Sequence, residues 1–179
     1  MNRILGNKAN LVSIFLPAVI LMLFACAGQQ LEVKPISKSE NPQELINQLD
    51  NDIALAHKNQ LNVLAPTWFG RADSSLNAAK KGLEGGDQLS KILDDIATGR
   101  AQLVRAEEIA KVSRTTLPNA IKARNLARDA GATTLGKEYT DAEEQFLNLT
   151  RAIEDNNLNY AQRSQARVAE RFRELELRA

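Results

Sequence analysis

The chain has 179 residues, with 23 Lys+Arg against 22 Asp+Glu, one His and one Cys. That is the length of one domain, or of two small ones, behind any targeting segment. Near-neutral charge excludes bulk electrostatic binding of nucleic acid, and one cysteine excludes a disulfide framework and cysteine-rich structural zinc. With 4% aromatics and few Gly and Pro, the composition favours helices over a β-sandwich or barrel.

The chain opens with Arg3 and Lys8, then turns almost wholly apolar from Leu11 to Ala25, broken only by Ser13 and Pro17. No charge occurs between Lys8 and Glu32. A basic start before an apolar stretch reads as a secretory signal peptide over 1–25. The stretch is short for a spanning helix, which needs roughly 20 residues. It ends in Leu23-Phe24-Ala25-Cys26, which resembles the bacterial lipobox. That motif has Leu at −3, a small residue at −1 and an invariant Cys. Phe24 departs from the small or β-branched residue usual at −2.

The resemblance implies cleavage between Ala25 and Cys26 and acylation of Cys26, with palmitate among the chains. Ala27 at +2, not Asp, implies sorting to the outer membrane, on its periplasmic face. Two or more acyl chains give stable attachment where one gives marginal attachment. The alternatives are an uncleaved signal anchor with a bystander cysteine, and conventional cleavage after Ala25.

Residues 26–40 carry Gly28, Gln29, Gln30, Pro35 and the polar Ser37, Lys38 and Ser39, with no helical apolar period. They read as a flexible tether. Asn41-Pro42-Gln43-Glu44 is a helix start, with Asn as N-cap, Pro at N1 and Glu at N3. The first helix is predicted to run to about Val63, where Ala65-Pro66 breaks it. A second spans Pro66 to Gly85-Gly86. A third starts at an Asp87 N-cap and reaches about Arg114. A fourth covers Pro118 to Ala130 and stops at Gly131. A fifth runs from about Leu135 to Glu154, and Asp155-Asn156-Asn157 turns into a sixth from Leu158 to the C-terminus. The expectation is an all-α fold of about six helices in an elongated antiparallel bundle, with coiled-coil-like stripes.

The stripes repeat. Phe69, Ala72, Leu76, Ala79 and Leu83 match Tyr139, Ala142, Phe146, Leu149 and Ile153, each pair 70 residues apart. Leu89, Ile92, Ile96, Gly99, Leu103 and Ala106 match Leu158, Ala161, Gln165, Val168, Phe172 and Leu175 at an offset of 69. The one-residue change falls in the turn. Two tandem helical repeats are therefore predicted, at 41–114 and 115–179, each a hairpin with a preceding helix.

Leu64-Ala65-Pro66-Thr67-Trp68-Phe69, with Ala72, Leu76, Ala79 and Gly86-Asp87, resembles a small helical domain family of unknown function in Gram-negative envelope lipoproteins. Thr116-Leu117-Pro118 through Ala123-Arg124, and Arg173-Glu174-Leu175-Glu176-Leu177, resemble the N-terminal helical region of OmpA-family lipoproteins. The resemblance covers about residues 42–179. The second repeat keeps Gly131-Ala132 and Tyr139 but lacks the Pro, and has Asn156-Asn157 in place of Gly-Asp. It implies a scaffolding or adaptor role, with the membrane, envelope proteins or peptidoglycan-associated partners. The OmpA-like module itself is not in this sequence; either the chain is free-standing or that module follows Ala179.

For chemistry the sequence offers little. His57 stands on a helix without a Cys or acidic cluster, and Asp50-Asn51-Asp52 lacks the Gly and Glu of a calcium loop. No nucleophile elbow, phosphate loop or dinucleotide fingerprint occurs. The expectation is no enzyme, no cofactor and no metal. Arg163, Arg167 and Arg171, at i, i+4, i+8, are the candidate contact for an anion or partner, or a solvated face. Trp68 and Phe69 are a candidate interaction patch, or core anchors. The competing functional class is a helical module holding a lipid or other apolar ligand.

Overall fold

The computed structural model describes residues 31–179; the predicted signal peptide and the Ala25–Cys26 site lie outside the described residues. Among those described, the fold is all-α. Seven helices occur: α1 (Pro42–Lys58), α2 (Leu61–Leu64), α3 (Pro66–Gly85), α4 (Leu89–Thr116), α5 (Pro118–Asp129), α6 (Lys137–Glu154) and α7 (Leu158–Glu176), with a 3-10 turn at Ala132–Leu135 between α5 and α6.

Asn41 caps α1 as expected: its side chain accepts from Gln43 N at 3.0 Å, with Pro42 following. The helix stops at Lys58, short of the predicted Val63. Gln60 adopts a left-handed conformation, φ 62°, and α2 restarts the chain at Leu61. Tertiary partners explain the break. Arg114 of α4 donates to the Asn59 carbonyl at 2.8 Å, and the buried Ser113 hydroxyl donates to the Leu64 carbonyl at 2.7 Å. The kink also turns Leu61 and Leu64 into the core. No single-residue propensity signals these bonds, so periodicity alone carries the helix through.

Both hairpin turns close alike. Asp87 N bonds Gly82 O at 2.8 Å, and Asn157 N bonds Ala152 O at 2.7 Å. A left-handed residue precedes each donor, Gly86 at φ 73° and Asn156 at φ 59°. Asp87 is therefore not the N-cap of α4, as predicted; Gln88 holds that place. In the second hairpin Asn157 does both jobs, closing α6 and accepting from Tyr160 N at 3.3 Å to cap α7. Two residues share in the first turn what one does in the second, which accounts for the change of offset from 70 to 69.

The stripes face inward. Ala72, Leu76 and Ala79 on α3, Ile92, Ile96 and Leu103 on α4, Ala142, Phe146 and Leu149 on α6, and Val168, Phe172 and Leu175 on α7 are all buried. They belong to one hydrophobic cluster that also takes in α1, α2 and α5. α3 packs chiefly on α4, with α1 against both; α7 packs on α5 and α6. Gln165, the polar residue on the α7 stripe, donates to the Thr116 carbonyl at 3.0 Å and so ties α7 to the end of α4. The tether segment is non-helical from Leu31 to Asn41, and its Ile36 packs on the core.

Of the described glycines, Gly99 has the tightest surroundings. A Cβ there would lie 2.8 Å from Leu49 Cδ2 and 3.2 Å from Ser75 Cβ, whereas one on Gly70 of α3 would meet nothing within 4 Å. Gly70→Ala should therefore stabilise by about 0.5–1 kcal/mol through helix propensity. Gly99→Ala sets the same gain against roughly 1–3 kcal/mol of overpacking, and is expected to destabilise by about 1 kcal/mol. Urea unfolding of the two variants checks the contrast; equal stabilisation by both would contradict it.

Candidate functional site

The arginine row is only partly available. Arg171 bonds Glu174 at 3.1 Å and lies 3.5 Å from Glu138, and Arg163 donates to its own helix at Asn159 O, 3.2 Å. Glu138 also binds Arg178, which holds its carboxyl below the ordinary range. Arg167 is exposed. Two of the three guanidiniums are thus engaged within the chain, as a solvated helix face would have them.

Trp68 and Phe69 sit at the start of α3, partly buried and packed against the core. The Arg71 guanidinium stands 4.6 Å over the Trp68 ring, and the His57 ring lies 6.1 Å from Phe69. Both pack on the core with part of each side chain left exposed.

The structure brings together groups that sequence reasoning missed. Glu154, the last residue of α6, accepts from Thr67 N at 3.0 Å and Trp68 N at 3.1 Å. It caps α3 from 87 residues away, meeting donors that no local side chain caps. Burial pushes its carboxyl above the ordinary 4.5, against the pull of those N–H groups. A raised folded pKa means the folded state binds the proton more tightly. This contribution to stability is therefore full below the ordinary carboxylate value and is lost as pH rises through the raised one. The stability of wild type relative to Glu154→Gln is expected to fall across that window. A difference flat with pH in denaturant titrations would contradict it.

A second cluster is buried between α5 and α6. Arg124 Nε lies 2.8 Å from Oε1 and 2.9 Å from Oε2 of Glu143, and a terminal nitrogen donates to Gln60 Oε1 at 3.1 Å. Its guanidinium stands 5.4 Å from the Phe146 ring centre. The Tyr139 hydroxyl bonds Glu143, and burial first, then that bond and charge, push it up to about 12. This pair holds α5, α6 and the α1–α2 kink together. Its members lie far apart in sequence, and only the residues quoted for the family resemblance included Arg124 and Tyr139.

The third feature is a groove of 560 Å³ between α1 and α4. α1 runs alongside α4 in the same direction, since Arg100 donates to Gln48 at 2.9 Å near one end and Arg114 to Asn59 O near the other. The floor holds Ala56, Leu61 and Leu103; Leu55 and Val104 stand up from the walls, 58% and 56% exposed. Asp52, Arg100, Glu107, Lys111 and Arg114 edge it. Leu55 is absent from the predicted core face of α1 and Val104 from that of α4, so both were legible only as gaps in those stripes.

Among the described residues no group of three His, Cys, Asp or Glu is placed to hold a metal ion, and no helix is long and apolar enough to cross a membrane. No family model, no curated protein and no solved structure matches this chain.

Proposed function

We propose that this chain is a lipid-anchored protein of the bacterial outer membrane, held at the periplasmic face by acylated Cys26, with a scaffolding or adaptor role rather than a catalytic one. The observation that carries the reading is the sequence Leu23-Phe24-Ala25-Cys26 at the end of a basic-then-apolar leader, with Cys26 the only cysteine. Support comes from the chain beyond Gln30, where a non-helical segment enters a helical unit at a capped α1. Polar groups within that unit hold helices to one another, as the buried Arg124 and Ser113 and the partly buried Glu154 do. The likeness of the Ala65-Pro66-Thr67-Trp68-Phe69 start to envelope lipoprotein helical domains fits the same role, with the cell wall or envelope proteins as partners.

Fractionation tests the anchor. Wild type expressed in a Gram-negative host should sediment with outer membranes and take up a labelled fatty acid. Cys26→Ser should lose the label and leave the outer-membrane fraction. Equal label on both, or none on wild type, would defeat the reading.

A further inference from the structure

We propose that the α1–α4 groove is a self-association surface whose occupant is α4 of a second copy, laid antiparallel across it. Three observations lead there. The groove presents two large apolar side chains, Leu55 and Val104, each more than half exposed. Among the described residues, its rim charges form no ion pairs: Arg100 and Arg114 bond neutral oxygens, and Asp52, Glu107 and Lys111 have no partner. Elsewhere the helices carry many such pairs, including Lys80–Asp50, Lys137–Asp141 and Arg173–Glu170. The rim also carries both signs, and on α4 Arg100 and Glu107 form a self-complementary pair of positions.

Arg100 and Glu107 are two turns apart on one helix, about 10 Å along its axis, so they cannot bond each other within one chain. Turned antiparallel about a point between Leu103 and Val104, a second α4 brings its Glu107 opposite Arg100 and its Arg100 opposite Glu107. Asp52, on the facing wall, then lies within a turn of the same incoming arginine. Val104 of each copy comes to the two-fold axis and enters the other's groove beside Leu55. A two-fold contact of this kind uses one patch twice, which is what a mixed-sign patch with an apolar centre satisfies. An acidic or a basic partner would leave one sign of the rim unpaired and desolvated, at a cost.

Self-association through this groove is independent of the lipid anchor, and its test avoids the anchor. Full-length protein carrying Cys26→Ser and Val104→Cys, purified in mild detergent, is treated with a mild thiol oxidant and run on a non-reducing gel. A disulfide-linked dimer is expected, with little from Leu126→Cys, an exposed apolar position on α5 outside the groove, 43% exposed against 56% for Val104. Adding Arg100→Glu should lower the yield about tenfold, because like charges then meet. Adding Glu107→Arg as well should restore it, since the swapped pair is complementary again. A monomer at Val104→Cys, equal cross-linking at Leu126→Cys, or a double swap that stays as low as Arg100→Glu alone would each overturn the proposal. The last would hand the groove to a different occupant.

Discussion

Phe146→Ala is expected to lower the unfolding free energy by about 3–5 kcal/mol. The side chain is 1% exposed, on the inner stripe of α6. Its ring meets Phe172 of α7 edge to face, centroids 6.4 Å apart, and Phe172 meets Tyr139 in the same manner at 6.0 Å. Truncation removes the transfer free energy of an aromatic ring, and it leaves a cavity that two helices and a second ring cannot fill. It also strips the apolar support beneath the Arg124 guanidinium. Phe146→Leu, which keeps much of the volume, should cost less than half as much. Urea denaturation with matched slopes gives the number. A loss below about 1 kcal/mol for the alanine variant would mean that α6 and α7 do not share a packed core.

Arg124→Met should destabilise by about 3 kcal/mol for a different reason. Arg124 is 8% exposed, and the side chain of its partner Glu143 only 18%. Removing the guanidinium leaves a desolvated carboxylate with a tyrosine hydroxyl for company, and it deprives Gln60 of its donor. The double variant Arg124→Met, Glu143→Leu should return to within about 1 kcal/mol of wild type, because an apolar pair of similar volume avoids desolvating either charge. A thermodynamic cycle over the four proteins measures this. A double variant as unstable as the single one would show that the pair acts through something other than its buried charges. Since Arg124 and Phe146 touch, their effects should not add.

These two residues also show what a sequence reveals and what it hides. Phe146 was legible, since the steps of 3 and 4 from Tyr139 to Ile153 place it on a helix face that must be covered. The same reasoning found α3 with its bounds, the inward stripes and the two hairpin turns. Arg124 and Glu143 were not legible as a pair. Charged residues on a helix are usually solvated, and periodicity cannot tell which one a neighbouring helix will cover. The kink at Gln60 escaped for a related reason: it is fixed by bonds from Ser113, Arg114 and Arg124, at least 49 residues away. Glu154 at the foot of α3 is another case, a cap supplied by the end of α6. Of the candidate sites, the arginine row was visible as spacing, with Glu174 three residues beyond Arg171 on the same helix, but Glu138, the other carboxylate near Arg171, comes from α6.

The proposed role in the envelope rests on the fate of Cys26. Mass spectrometry of the N-terminal peptide, taken from protein in the membrane fraction of a Gram-negative host, examines it without intermediaries. The expected peptide begins at Cys26, with a diacylglyceryl group on sulfur and a third acyl chain on its amine. A peptide that still begins at Met1, or one in which Cys26 carries a free thiol, would contradict the lipid anchor.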